Sequence, residues 1–185
     1  GIPDPAEGRL MTPPLLDHAA IAARIPHAGR MCLLDRVIAW DEDGIVCESD
    51  GHRTDDRDRR RDGPHPLARD GALPATAAIE YAAQAMALHG ALIGERAATA
   101  AGAAVDEPAG GFIGREPARG FLAGLRSVRL GCRWIPSSGP SLTIRARRFA
   151  GDSVQVLYDF DVEAAGPIAA GRAVVILDAA RRTGQ

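Results

Sequence analysis

A single carboxylate lies inside a helix-length apolar segment of the chain. Residues 73–93 read LPATAAIEYAAQAMALHGALI, where Glu80 is the only acidic side chain and Gln84 follows one turn later on the same helical face. Moving a charged carboxylate out of water costs several kcal/mol, so Glu80 must be paired, protonated or facing a cavity. Each of these states is typical of a functional site, and Glu80 is therefore our first candidate.

The flanking residues predict where this helix begins and ends. Pro74 fits the first helical position, where a missing N–H is harmless, and Gly94 fits the exit. A transmembrane helix would have a similar length, but the polar side chains and frequent alanines of this segment are unfavourable for insertion. We predict a buried helix and no membrane span.

Composition and charge limit the possible classes of protein. The chain has 185 residues, of which 46% are hydrophobic and 25% charged, which suits one globular domain. A net charge of −2 and an aromatic content of 4% argue against nucleic-acid binding. The three cysteines lie far apart without a CxxC pair, which argues against a disulfide framework or a zinc site and fits a reducing cytoplasm.

Residues 1–14 are expected to be a flexible N-terminal segment without a signal peptide, followed by a single domain over 15–180. Apolar spacing predicts a short helix over 15–25. Residues 31–40 and 44–49, separated by Asp41-Glu42-Asp43, are predicted to form a hairpin.

The second half of the chain alternates apolar and polar residues, as strands do. Strands are predicted at 128–134, 142–147, 153–163 and 168–178, forming a meander, with long loops at 51–72 and 95–118. One central helix wrapped by a curved antiparallel sheet would bury the helix and one face of every strand. This is an α+β fold of the hot-dog type, and because one sheet cannot fully cover such a helix, we expect a dimer.

Two motifs carry a resemblance to a known family. The segment IPHAGRMCLLDRV resembles the opening LPHR-x-P-x-L-L-x-D-R-V of bacterial 3-hydroxyacyl-[acyl carrier protein] dehydratases, and PATAAIEYAAQA resembles their helix motif PGV-x-x-x-E-x-x-A-Q. More closely, HPLARDGALPATAAIEYAAQAMALHGAL followed by GFLAGLRSVRL resembles the hot-dog dehydratases of aryl polyene and related fatty-acid-like gene clusters. The resemblance covers roughly residues 22–178.

The resemblance implies an active site made of a histidine before the helix and the helix acid, contributed by opposite subunits. Glu80 stands six residues after Pro74, as in the motif. The histidine is His65 or His52, and His65 is favoured because it lies nearer the helix start. His27 is instead expected to pack or to cap the first turn, and His89 is expected to be a core or interface residue late on the helix, so neither is chosen as catalytic.

The implied chemistry is dehydration of a 3-hydroxyacyl thioester. His65 would remove the proton at C2, and Glu80, its pKa raised by burial, would protonate the leaving hydroxyl. The N–H groups around Ala75 and Thr76 would stabilise charge on the thioester oxygen, although the family has glycine where this chain has Ala75. Gln84 is expected in the substrate site, and no metal or organic cofactor is required.

The expected activity is therefore that of a cytoplasmic lyase acting on acyl-phosphopantetheine held by acyl carrier protein, as a homodimer or a heterodimer with another hot-dog protein. Alternatives are a non-catalytic subunit that partners another dehydratase and an acyl thioesterase. Several arginines would form either a basic surface for the acidic carrier or ordinary solvated strand faces: Arg126, Arg129, Arg133, Arg145, Arg147 and Arg148.

Overall fold

One long helix packs against a seven-stranded antiparallel sheet in the computed structural model, which describes residues 14–53, 63–100, 120–152 and 154–177. The helices are α1 (His18–Ala22) and α2 (Ala77–Ala100). The strands are β1 (Leu16–Asp17), β2 (Arg36–Trp40), β3 (Gly44–Ser49), β4 (Leu73–Pro74), β5 (Gly120–Leu130), β6 (Trp134–Ile135), β7 (Leu142–Gly151), β8 (Gln155–Glu163) and β9 (Pro167–Leu177). The expected arrangement of one helix on one antiparallel sheet is thus present.

The strand order is β1-β2-β3-β7-β8-β9-β5, while β4 and β6 form a separate two-stranded sheet. The predicted meander is confirmed for β7, β8 and β9, but β5 lies beyond β9 instead of beside β7. Burial explains this placement: β3 is almost entirely buried, whereas β5 is exposed along most of its length. An exposed strand is suited to the edge of a sheet and not to its centre.

The core lies between α2 and one face of the sheet. Alternation in β8 is confirmed, since Val156, Tyr158, Phe160 and Val162 are buried, whereas the preceding Val154 lies outside the strand and is exposed. The helix contributes Tyr81, Met86 and Leu88 among others. Burial of such side chains supplies the main driving force for folding.

The predicted ends of the long helix need correction. Leu73 and Pro74 do not begin the helix, because they pair with Ile135 and Trp134 as β4, and α2 starts at Ala77. The helix also continues past Gly94 to Ala100, so the first six residues of the predicted 95–118 loop are helical. Good helix formers such as Glu95, Arg96 and the alanines after them favour this extension.

Three other elements differ from the sequence prediction. The segment predicted as a helix over 15–25 is β1 followed by α1, which Asp17 caps by accepting the Ala20 N–H at 2.9 Å. Residues 29–31 form a 3₁₀ turn, so the first hairpin strand begins only at Arg36, whereas β3 matches its predicted bounds. The predicted 128–134 strand breaks after Leu130, where Gly131 donates its N–H to Ile168 O at 2.9 Å.

Residues 1–13, 54–62, 101–119, 153 and 178–185 lie outside the described residues, and so does most of the expected flexible N-terminal segment. The predicted single domain over 15–180 stays a prediction. Among the helices that the structure describes, none has the length and apolar character of a membrane span.

Candidate active site

Glu80 lies on α2 opposite the segment that links α1 to β2, and Gln84 holds the two together. The Gln84 amide oxygen accepts the Leu33 N–H at 2.8 Å, and its nitrogen donates to Met31 O at 2.7 Å. The same nitrogen donates to Glu80 Oε1 at 3.0 Å. Because a backbone N–H can only donate and a carbonyl can only accept, these partners fix which end of the Gln84 amide faces Glu80.

Glu80 is paired with a histidine. His27 Nε2 lies 3.1 Å from Glu80 Oε1, and the Glu80 side chain remains 33% exposed. The hydrogen bond from His27 lowers the pKa of Glu80 below its ordinary value, and burial, which acts in the opposite direction, does not reverse this. The raised pKa expected for Glu80 is therefore not found, because the sequence did not reveal its partner.

A cavity of about 210 Å³ lies beside this pair. Its walls include Arg24 and His27, Glu80 on α2, and Phe121 and Leu122 on β5. Arg24 is turned to α2, where its Nε lies 3.0 Å from Glu95 Oε1. The cavity is small for a complete ligand pocket, since such pockets are typically ~300 Å³ or more.

His65 is held by Tyr81, the residue after Glu80. His65 Nδ1 accepts the Leu67 N–H at 3.1 Å, and His65 Nε2 lies 2.9 Å from the Tyr81 hydroxyl. Because Nδ1 must offer a lone pair to Leu67, the neutral ring carries its hydrogen on Nε2 and donates it to Tyr81. In this conformation both ring nitrogens are engaged.

Burial lowers the pKa of His65 to about 4, helped by repulsion from His52 and Arg30. His65 is accordingly neutral at neutral pH, as a base must be before it accepts a proton. The second candidate histidine, His52, is buried and lies close enough to His65 to affect this pKa. The two histidines considered from the sequence are thus neighbours.

A tight turn and a short strand set the start of α2. Asp70 and Gly71 both have positive φ, and Arg69 and Ala72 exchange backbone hydrogen bonds across them. The chain then pairs with β6, and the Ala75 N–H donates to Arg133 O at 3.0 Å. The Ala75 N–H, which was expected to bind substrate, is therefore already hydrogen-bonded. The N–H groups of Thr76 and Ala77 have no hydrogen-bond acceptor within the described residues.

The structure brings Glu80 and Gln84 together, but neither His65 nor Ala75 nor Thr76 lines the cavity. It adds His27, which the sequence analysis set aside although it lies in the IPHAGR part of the opening motif. That motif was the signal that could have identified it. In the part of the chain that the structure describes, no cluster of His, Cys, Asp or Glu side chains is suited to hold a metal ion.

Four of the six arginines considered as a basic surface fall into two groups. Arg145 bridges Asp161 at 2.9 Å and Glu163 at 2.7 Å, so acidic neighbours neutralise its charge. Arg126, Arg129 and Arg133 are exposed, and the Arg133 guanidinium lies over the Trp134 ring beside the start of α2. Arg147 and Arg148 on β7 belong to neither group, and Arg147 is also exposed. The second group is the better candidate for an acidic partner because Arg133 lies beside the start of α2.

Comparison with known proteins gives one family and several similar folds. The model of the ApeP-like family, described as ApeP dehydratase, matches residues 19–181. No curated protein matches the chain.

Among solved structures, the chain is similar to one in the dehydratase heterocomplex ApeI:P from Xenorhabdus doucetiae, with 21% identity, a TM-score of 0.64, and coverage of 85% of this chain and 90% of that chain. It is also similar to a hypothetical thioesterase protein with coenzyme A from Streptococcus pneumoniae TIGR4, with 9% identity, a TM-score of 0.49, and coverage of 77% and 84%. The first likeness, together with the helix and sheet described above, confirms the α+β hot-dog fold.

Proposed function

The chain belongs to the ApeP-like dehydratase family, and from this premise we propose that it dehydrates a 3-hydroxyacyl thioester on acyl carrier protein to the trans-2-enoyl thioester. The pathway would be fatty-acid-like or aryl polyene biosynthesis in the cytoplasm. The observation that carries the proposal is the position of Glu80, a carboxylate in the wall of a cavity and held by two hydrogen-bond donors.

Glu80 is the proposed acid. A base removes the proton at C2, the C–H electrons form the C2–C3 double bond, and the C3–O bond breaks as Glu80 transfers a proton to the departing hydroxyl, giving water. The pKa of Glu80 is lowered while the cavity is open to water. Protonation of Glu80 therefore requires substrate and a partner subunit to exclude water, because burial raises the pKa of a carboxyl group. No electrons are gained or lost overall, and the reaction requires no cofactor.

His65 is the proposed base, acting in a site whose Glu80 comes from the opposite subunit. Its only lone pair in the described tautomer is at Nδ1, where the Leu67 N–H is bound at 3.1 Å. Base catalysis requires this bond to open so that Nδ1 can accept the C2 proton, while Tyr81 keeps Nε2 in place. The N–H groups of Thr76 and Ala77, which have no acceptor among the described residues, are the proposed donors to the thioester oxygen, and Gln84 supports the acid.

A second hot-dog subunit is the proposed occupant of the β5 edge. Leu125 and Leu130 stand opposite the buried residues Ala173 and Ala169, so they share the sheet face that α2 covers, yet they are 37% and 45% exposed. The outer side of β5 also has no strand partner among the described residues. A partner along β5 would cover this apolar surface and enlarge the adjacent cavity, whose wall includes Phe121 and Leu122.

The acyl carrier protein would bind at Arg126, Arg129 and Arg133. Carrier proteins of this kind are acidic, and an exposed arginine beside the start of α2 lies near the proposed thioester site. The phosphopantetheine arm would then enter between the helix start and the neighbouring subunit.

A non-catalytic subunit is the second candidate function. It is favoured by His65, whose two nitrogens are both hydrogen-bonded, and by Ala75, whose N–H is already engaged. In this case the chain would stabilise another dehydratase in a heterodimer. The similarity to a chain of the ApeI:P heterocomplex is compatible with such an assembly.

Mass spectrometry can separate these functions. The purified chain, alone and with a hot-dog partner encoded nearby, is incubated with a 3-hydroxyacyl carrier thioester, and loss of water and release of thiol are followed together. We expect loss of water that disappears in Glu80→Gln. Dehydration that needs the partner but survives Glu80→Gln would support the non-catalytic subunit, and release of thiol without dehydration would support a thioesterase.

A further inference from the structure

Two donors converge on the same oxygen of Glu80. His27 Nε2 lies 3.1 Å from Oε1, and Gln84 Nε2 lies 3.0 Å from it. If the Gln84 amide were reversed, its oxygen would face the oxygen of Met31 and its nitrogen would face the Leu33 N–H. Two acceptors and two donors would then oppose each other, so the amide is fixed in the observed orientation. The fixed amide therefore presents an N–H to Oε1, and Oε1 acts as an acceptor.

This arrangement makes the two carboxylate oxygens chemically different. Two N–H donors occupy Oε1, so a proton bound to the carboxyl is placed on Oε2. In the described part of the chain no protein group hydrogen-bonds to Oε2, and Glu80 lines the cavity. Oε2 is thus the oxygen from which a proton can leave.

We infer that His27 is a positioning residue: together with Gln84 it holds Glu80 by Oε1, so that Oε2 gives its proton to the C3 hydroxyl of the bound thioester. This inference rests on the dehydration proposed above. His27 is placed to act through Glu80, because its Nε2 is engaged at Oε1, whereas its other nitrogen, Nδ1, is buried and has no hydrogen-bond partner among the described residues.

The segment that carries His27 is well fixed. Downstream of His27, the Gln84 side chain hydrogen-bonds to the backbone of Met31 and Leu33. Upstream of it, Arg24 forms an ion pair with Glu95. These bonds attach the segment to α2 on both sides of His27. A change of side chain at His27 therefore removes one donor to Glu80 while the backbone around it stays tied to the helix.

Among the residues that the structure describes, few charged and titratable groups lie around Glu80, which simplifies a test by pH. Arg24, from the turn after α1, lines the same cavity but is paired with Glu95, and the remaining walls from β5 and β9 are apolar, including Phe121 and Val175. The largest influence on the pKa of Glu80 is the hydrogen bond from His27. Removing that donor should raise the pKa of Glu80 toward the value that burial favours.

The test compares His27→Leu, which removes the donor, with His27→Gln, which restores an N–H without a titrating ring. Glu80 is titrated by carboxyl ¹³C NMR, with its signal assigned from Glu80→Gln, and kcat and KM are measured across pH. We expect a raised pKa of Glu80 in His27→Leu, a kcat lowered on the order of 10- to 100-fold at similar KM, and partial recovery of both in His27→Gln. His18→Gln, which alters a bond to Leu34 O instead, serves as the matched control.

An unchanged Glu80 titration in a folded His27→Leu protein would overturn the inference, and so would an unchanged kcat in an active enzyme. If His27→Leu does not fold, the pH profile of His27→Gln decides, because a merely structural role predicts no displacement of it. The titration does not depend on turnover. A wild-type protein that fails to dehydrate any thioester would refute the proposed function, whereas an active protein indifferent to His27 would refute this inference alone.

Discussion

His65 donates a hydrogen bond from Nε2 to the Tyr81 hydroxyl at 2.9 Å, next to the helix position that carries Glu80. The direction of this bond follows from the Leu67 N–H, which occupies Nδ1. His65 is thus a neutral, partly buried side chain whose two ring nitrogens are both hydrogen-bonded. Its protonation has consequences for stability that can be measured without any substrate.

We predict that stability falls as the pH is lowered from about 6.5 to about 4. The folded pKa of His65 is about 4 and its unfolded value is 6.5, so over this window the unfolded chain binds more protons and is stabilised relative to the folded chain as the pH falls. Urea unfolding at several pH values should show this decline, with a shallower slope in His65→Gln. The slope that remains includes His89, whose pKa burial also lowers. Equal slopes in the two proteins would contradict the prediction.

Replacement of Glu80 by glutamine should abolish proton donation while preserving shape. We expect a loss of about 10²- to 10⁴-fold in kcat for dehydration, the usual contribution of a general acid. The control is Glu42→Gln, which changes an exposed carboxylate that lies 3.9 Å from Arg96. A variant Glu80→Gln as active as Glu42→Gln would show that the acid lies elsewhere.

Charge reversal at Arg133 should weaken binding of the carrier and leave the chemistry intact. For Arg133→Glu we predict a KM raised roughly 2- to 10-fold with a carrier-bound substrate, as expected for one exposed charge at an interface. The KM for the same acyl group on pantetheine alone should not change. Arg147→Glu, an exposed arginine of β7 outside the proposed surface, provides the control. Equal effects of the two variants would argue against carrier binding at Arg133.

A lysine at Leu125 should prevent association of subunits. Leu125 shares the core side of the sheet with Ala173 but is 37% exposed, so a charge there would be buried by a partner and tolerated by the single chain. Sedimentation velocity should find a smaller species for Leu125→Lys, with or without a second hot-dog protein. Val154→Lys, at an exposed apolar residue between β7 and β8, should leave association unchanged. A dimer that persists in Leu125→Lys would exclude the β5 edge as the interface.

Local pattern predicted the elements whose burial is regular. The alternation of Val156, Tyr158 and Phe160 predicted β8, because this strand presents one face to the core. The bounds of β3 also matched, although this strand is buried at almost every position. The apolar run around Glu80 likewise predicted α2 and placed Gln84 beside the carboxylate. These features depend on residues close together in the sequence.

The features that sequence could not predict depend on distant contacts. Gln84 binds Met31 and Leu33, which lie 53 and 51 residues away, and His27 reaches Glu80 from the same segment. The direction of the Glu80 pKa shift followed from that partner, because burial alone would have raised it. The hydrogen bond from the Ala75 N–H to Arg133 O also could not be predicted, because it depends on where β6 lies.

Gly131 lies at a close crossing of the chain, two residues before the backbone that bonds the start of the long helix. A Cβ at this residue would overlap the carbonyl oxygen of Pro167, and the Gly131 N–H bonds Ile168 O as the chain leaves β5. Two residues later Arg133 O receives the Ala75 N–H, and β6 pairs with β4. Any shift of the backbone at Gly131 is therefore passed to the beginning of α2, where Thr76 and Ala77 offer their N–H groups.

Gly131→Ala should consequently affect both stability and activity. We predict a free energy of unfolding lower by about 1 to 3 kcal/mol, because the overlap is with backbone that cannot rotate away. In the folded fraction kcat should fall, since the donors near Thr76 are displaced from the thioester oxygen. Gly124→Ala is the matched control. Gly124 lies on β5, before Gly131 along the chain, and a Cβ at Gly124 would meet no atom of the described residues within 4 Å. Chemical denaturation and kinetics measure the two effects separately, and a Gly131→Ala protein as stable and active as Gly124→Ala would refute the link between this crossing and the helix start.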